Sequence, residues 1–196
     1  HGIDSYVAYK NSMDKVTIQT PANATDFGDL TYARFIDSNQ SISDGTTGII
    51  AFGGRTAYVG YGIDAITIAT PGNATDFGDT LSNSYAQTGC GGGTSGRGIV
   101  FGGTISSRYK SIEYITINTP GNSVDFGDMF SGVGVNYAGS YHMGSTNNAT
   151  RAVVSASYGY NEMEYVTMDT TGNATDFGDQ VSAANNNYQT CTSGHP

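Results

Sequence analysis

Four short stretches of the chain alternate apolar and polar side chains: "DKVTIQT" at 14–20, "DAITIAT" at 64–70, "EYITINT" at 113–119 and "EYVTMDT" at 164–170. Period two is the signature of a strand with one buried face. It places Val16/Ile18, Ile66/Ile68, Ile115/Ile117 and Val166/Met168 inward, and Thr17, Thr67, Thr116 and Thr167 outward. Ahead of these strands stand continuous apolar runs, "GIIAFGG" at 48–54, "GIVFGG" at 98–103 and "AVVSAS" at 152–157, with a degenerate version, "GIDSYVA", at 2–8. An apolar run ending in paired glycines predicts a strand, and no stretch sustains a helical period.

After each alternating strand comes one phrase, "NATDFGD" at 23–29, 73–79 and 173–179 and "NSVDFGD" at 122–128. It is entered through Pro21, Pro71 or Pro120, or through Thr171-Gly172 in the last copy. Its first aspartates, Asp26, Asp76, Asp125 and Asp176, are 50, 49 and 51 residues apart. A further segment, such as "NSYAQTGC" at 83–90, leads into the next apolar run. Four short strands per unit of about 50 residues predict an all-β, four-bladed β-propeller in one domain, with units near 1–47, 48–97, 98–150 and 151–196. The tail "NNNYQTCTSG" at 185–194 matches the segment before the second apolar run. It is therefore available as the strand the first blade lacks, either closing the ring or pairing with the next molecule.

The paired glycines before an alternating strand resemble kelch-like repeats. The longer phrase "IDAITIATPGNATDFGDTL" at 63–81, with "CGGGTSGRGIVFGG" at 90–103, is similar to tandem repeats in structural and fibre-like proteins of tailed phages, especially marine ones. The resemblance covers essentially the whole chain. It implies a propeller fold and an adhesive or scaffolding role at a virion surface or in an extracellular filament, and it brings no catalytic residues. The partners expected are further copies of the chain, other virion or surface proteins, or a cell-surface glycan.

Composition narrows the classes. Lys and Arg total 8 against 17 Asp and Glu, a net charge of −9 that opposes a nucleic-acid backbone. No apolar run approaches the roughly 20 residues of a membrane-spanning helix, so membrane insertion is not expected. The first residue, His1, is not Met, which suggests a removed leader or a longer parent protein.

Asp-Phe-Gly by itself is the metal-holding tripeptide of protein kinases. Those enzymes also need a phosphate-covering loop, a strand lysine and a catalytic Asp with an Asn partner, none of which accompanies it here. As scaffold the phrase reads differently. Phe27, Phe77, Phe126 and Phe177 offer large apolar groups to the space between blades. The glycine after each permits a backbone that a β-carbon disfavours, while Asn and Asp side chains bond nearby amides to hold the turn.

The paired carboxylates Asp26/Asp29, Asp76/Asp79, Asp125/Asp128 and Asp176/Asp179 are candidate Ca²⁺ ligands, although their spacing is not that of an EF-hand; no other cofactor is expected. His1, His142 and His195 form no triad or metal signature, and "GCGGGTSGRG" at 89–98 lacks the Gly-Lys-Ser/Thr ending of a phosphate loop. Cys90 and Cys191 hold equivalent places in the second and fourth units, on the innermost strands of opposite blades, and are a candidate disulfide across the axis, against two buried thiols. Asn23, Asn39, Asn73, Asn148 and Asn173 begin glycosylation sequons, which turn geometry explains more simply. Tyr58, Tyr61, Tyr109, Tyr158 and Tyr160 fall in the variable stretches and are candidate contacts to a glycan or protein.

The reading is thus a non-enzymatic structural or adhesive module. The alternatives are a lectin-like propeller or a propeller glycan hydrolase or lyase. A hydrolase requires acids peculiar to one face, whereas the repeated aspartates build every unit alike.

Overall fold

In the computed structural model, residues 10–34, 41–51, 61–81, 88–92, 96–103, 110–130, 143–155 and 161–181 are described. They form fourteen strands and no helix, an all-β chain as the sequence pattern predicts. β1 (Lys10–Lys15) pairs with β2 (Thr25–Arg34). β3 (Ser41–Ser43), β4 (Thr47–Ala51), β5 (Gly62–Thr67) and β6 (Thr75–Asp79) form a second sheet. β7 (Thr88–Gly91), β8 (Arg97–Phe101), β9 (Ser111–Thr116) and β10 (Val124–Asp128) form a third. β11 (Ser145–Asn147), β12 (Arg151–Ser155), β13 (Glu162–Thr167) and β14 (Thr175–Asp179) form a fourth.

The three larger sheets are antiparallel meanders in chain order, and each opens on the strand that precedes an apolar run. Those opening strands converge: β7 lies against both β3 and β11. Glycine makes this approach possible, because a β-carbon at Gly91 would stand 2.5 Å from the Ile42 Cγ2 methyl. On its other side, Thr88 and Ser145 share a hydroxyl hydrogen bond of 2.9 Å. The arrangement is propeller-like, and the described residues do not close it into a ring.

The core lies between sheets rather than within one. Ile115 and Ile117 of the third sheet pack with Ile49, Ile63 and Phe77 of the second. Val166, Met168 and Ala174 of the fourth pack with Ile99, Phe101 and Phe126 of the third. The alternation read from the sequence therefore holds in these two units, with Thr116 and Thr167 exposed. In the first two units it does not: Ile66 is half-buried and Ile68 41 % exposed behind the two-stranded first sheet, and Val16 is 64 % and Ile18 91 % exposed, because no preceding sheet covers them among the described residues.

The turns ahead of the apolar strands are set by side chains. Asp44 Oδ1 accepts from the backbone N–H groups of Thr46 (2.9 Å) and Thr47 (2.7 Å). Asn148 Oδ1 does the same for Thr150 (2.9 Å) and Arg151 (2.8 Å). Burial pushes the Asp44 carboxyl up, but these N–H donors, together with Asn118, outweigh it and hold the group below its ordinary value.

Candidate functional site: the joint between successive sheets

Asp-Phe-Gly-Asp is a β-bulge. In all four copies the first Asp and the Gly face neighbouring residues of the partner strand, as Asp76 faces Asp64 and Gly78 faces Ile63, so the Phe between them is the extra, unpaired residue. The glycine takes a positive φ, +139° at Gly28, +148° at Gly78, +149° at Gly127 and +123° at Gly178. The bulge turns phenylalanine carbonyls away from their own sheet and presents them, with the N–H and C=O of the second Asp, along the sheet edge.

The next unit caps that edge. The Phe27 carbonyl accepts from Gly72 N–H at 2.7 Å, the Asp29 carbonyl from Ala74 N–H at 2.8 Å, and the Asp29 N–H donates to Asn73 Oδ1 at 3.1 Å. The same three bonds recur from Phe77 and Asp79 to Gly121, Ser123 and Asn122, the last at 3.0 Å. They recur again from Phe126 and Asp128 to Gly172, Ala174 and Asn173. Expectation placed the asparagine bonds inside their own turn; instead they cross to the preceding unit, because the bulge leaves that unit's amide pointing outward. Capping also removes the exposed row of polar groups that makes a free sheet edge a liability.

The bulge glycine is needed for this contact. A β-carbon at Gly28, Gly78 or Gly127 would lie 2.3 to 2.4 Å from the carbonyl oxygen of Gly72, Gly121 or Gly172. Phe27, Phe77 and Phe126 are buried in the joints, each worth about 2 kcal/mol by transfer. Phe177 is 50 % exposed, and nothing lies within 4 Å of where a Gly178 β-carbon would be.

A second set of contacts was not foreseen. Asp64, Glu113 and Glu164, one per joint, are buried carboxylates that reach back to the preceding unit. Each accepts a backbone N–H two residues past the bulge: Thr31 to Asp64 Oδ2 at 3.1 Å, Leu81 to Glu113 Oε2 at 3.1 Å and Phe130 to Glu164 Oε2 at 2.7 Å. Their balance differs. Asp64 forms a buried ion pair with Arg34 (2.5 Å) and accepts from the Thr31 hydroxyl (2.5 Å), and Glu113 accepts from the Ser123 hydroxyl at 2.6 Å. Among the described residues Glu164 has no cation beside it; burial, with Glu162 and Asp176 nearby, pushes its carboxyl up to about 7 against the pull of the Phe130 amide. The signal was in the repeat, since each acid stands twelve residues before the first Asp of the bulge, as Asp64 before Asp76.

Arg and Tyr complete the later joints. Arg97 stacks on Tyr114 (4.4 Å), which meets Phe126 edge to face (6.0 Å), and Arg97 Nη1 donates to the Met168 carbonyl of the next sheet at 3.0 Å. Arg151 stacks on Tyr165 (4.5 Å), which meets Phe177 (6.1 Å). A cleft of about 350 Å³ opens beside the last joint, lined by Phe126, Tyr165, Thr170, Thr171 and Asn173 among others.

The remaining candidates are dispersed. Among the described residues no three His, Cys, Asp or Glu side chains gather as a metal site. Asp26, Asp76, Asp125 and Asp176 flank the bulge phenylalanines, while Asp29, Asp79 and Asp128 serve the joints through their backbones. Cys90 is buried on β7 with its Sγ 3.6 Å from the Thr146 carbonyl, whereas Cys191 lies outside the described residues. So do Asn39, Tyr58, Tyr109, Tyr158, Tyr160, His1, His142 and His195. Tyr61 is 44 % exposed, and Asn23 is exposed. No helix among the described residues is long and apolar enough to cross a membrane.

No protein-family profile matches the chain, and no curated protein matches it. The class defined by fold and joint is an all-β repeat protein whose sheets are fastened edge to loop.

Proposed function

We propose that the chain is a non-enzymatic structural or adhesive module of a virion or extracellular fibre, built as four kelch-like propeller blades in a ring left open within one chain, which holds its variable segments on a rigid frame. The observation that carries this reading is where the repeated side chains are used. At the three internal joints Phe27, Phe77 and Phe126, the glycines that follow them, Asn73, Asn122 and Asn173, and the acids Asp64, Glu113 and Glu164 all serve the contact between sheets. An active site needs acids or bases that differ from one unit to the next and converge on one face. The resemblance of the repeats to those of phage structural proteins supports the placement at a virion or extracellular surface, and the net charge of −9 argues against nucleic acid as partner.

The test is incubation with a panel of bacterial and algal polysaccharides, read by reducing-end release and mass spectrometry. No product is expected. Product release that a single acid-to-amide substitution abolishes would overturn the reading in favour of a propeller glycosidase or lyase.

A lectin-like reading draws on the cleft beside Phe126 and Tyr165, where an aromatic edge adjoins threonine hydroxyls and an asparagine. A glycan array with the Tyr165→Ala variant as control separates it from a purely structural part: retention of a glycan that the variant loses supports sugar binding, and no retention refutes it.

A further inference from the structure

The two outermost faces of the described structure are the two halves of the joint that occurs three times inside it. One half is the edge of β14. Phe177, Gly178 and Asp179 repeat the bulge, yet Phe177 is half exposed and the space over Gly178 is open. Beside them stands Arg151, stacked on Tyr165 as Arg97 is on Tyr114. The other half is the first unit's loop and strand. Pro21, Ala22, Asn23 and Ala24 correspond to Pro71, Gly72, Asn73 and Ala74, and all four are exposed. Next to them Val16 and Ile18 correspond to Ile115 and Ile117, which are buried in an internal joint.

From this we infer that the Phe177-Gly178-Asp179 edge of one copy binds the Pro21–Ala24 loop and the Val16/Ile18 face of a second copy, head to tail. Three interactions define the contact. The Phe177 carbonyl accepts from Ala22 N–H, the Asp179 carbonyl from Ala24 N–H, and the Asp179 N–H donates to Asn23 Oδ1. These are the bonds that join each internal pair of sheets at 2.7 to 3.1 Å. Arg151 then reaches the Ile18 carbonyl as Arg97 reaches that of Met168. Burial of Phe177, Val16 and Ile18 supplies the apolar part, as burial of Phe77 with Ile115 and Ile117, and of Phe126 with Val166 and Met168, does at the second and third internal joints. Because the two faces differ, the contact is heterologous and leaves a free half at each end of any open chain of subunits.

This inference rests on the structural-module reading and names its partner as another copy. Sedimentation velocity and light scattering on the 196-residue chain, from low micromolar to sub-millimolar concentration, test it. The expected result is an average mass that rises with concentration. Gly178→Ala places a methyl where internal glycines meet a carbonyl, and Ala22→Pro removes a required N–H from an exposed loop. Each variant alone stays a single chain, with affinity lowered about tenfold or more. An equimolar mixture with Ala22→Pro supplying the intact edge and Gly178→Ala the intact loop forms a dimer and goes no further.

A wild-type mass that stays at one chain throughout overturns the inference, including the case in which hydrogen exchange shows the Asp179 amide protected, which would mean that the two faces meet within one molecule. Oligomers that persist in both variants also overturn it. Neither outcome touches the polysaccharide assay, so failure of the joint and failure of the structural reading are separable.

Discussion

Gly78→Ala and Gly178→Ala form a matched pair, because both glycines occupy the same bulge at positive φ, +148° and +123°, and only one lies inside a joint. A non-glycine residue in that conformation costs about 1–2 kcal/mol, which applies to both. At Gly78 the added methyl would stand 2.4 Å from the Gly121 oxygen, and backbone cannot yield as a side-chain tip does. Relieving the clash separates the loop from the edge and breaks the three hydrogen bonds to Gly121, Asn122 and Ser123, each worth about 1 kcal/mol net. Gly78→Ala is thus expected to cost about 4–5 kcal/mol and Gly178→Ala about 1–2 kcal/mol, a difference of about 3 kcal/mol assigned to the joint. Urea unfolding followed by far-ultraviolet circular dichroism and tyrosine fluorescence measures both, since the chain has 14 Tyr and no Trp. Working at dilution keeps any contact at Gly178 between copies out of the comparison. Equal losses at the two positions would refute the reasoning, since strain alone would then account for both.

Three further outcomes follow from the buried carboxylates and the capping asparagines. Asp64→Ala leaves Arg34 buried without its counter-charge and the Thr31 N–H and hydroxyl without an acceptor, and is expected to destabilise by about 3–5 kcal/mol in chemical unfolding; the Arg34→Leu/Asp64→Leu double variant should recover most of this, and a double loss equal to the sum of the singles would refute the pairing. Glu164 has a folded-state value of about 7, above the ordinary 4.5, so the fold binds its proton more tightly than the unfolded chain does. That contribution is fully present below pH ~4.5, is lost as pH rises toward 7 and is gone above it; thermal melts of wild type against Glu164→Gln across this window should show the steeper loss in the wild type, and identical pH profiles would sink the assignment. Asn122→Ala removes the acceptor of the Asp79 N–H at 3.0 Å and should cost about 1 kcal/mol, with faster amide exchange at Asp79 and unchanged exchange at Asp29, where Asn73 is intact; acceleration at both would show that the joints do not act separately.

Period two in "EYITINT" and "EYVTMDT" was enough to assign faces to Ile115, Ile117, Val166 and Met168, because a strand's side chains follow its backbone whatever it packs against. The bulge was less accessible. Glycine after phenylalanine signalled a special backbone, but which residue is extra depends on the partner strand's register, and only pairing reveals that Gly78 faces Ile63 while Asp76 faces Asp64. The asparagine contacts were assigned to the wrong chain segment for a related reason. A local turn is the nearest source of amides, yet the bulge points those of Asp29, Asp79 and Asp128 outward, where the next unit meets them.

Identical residues also end in different surroundings. Phe126 and Phe177 sit in the same phrase, one buried and one half exposed, and Ile18 and Ile117 share a register position with opposite exposure. A repeat encodes both halves of its joint in every copy, so burial belongs to the pair of units and not to either alone. Edge and loop lie within seven residues of each other in "NATDFGD", so a unit that presents one to its predecessor must present the other to its successor. Within the described residues this condition is met at three joints and open at two faces, so the stability of the outer units depends on what they meet next.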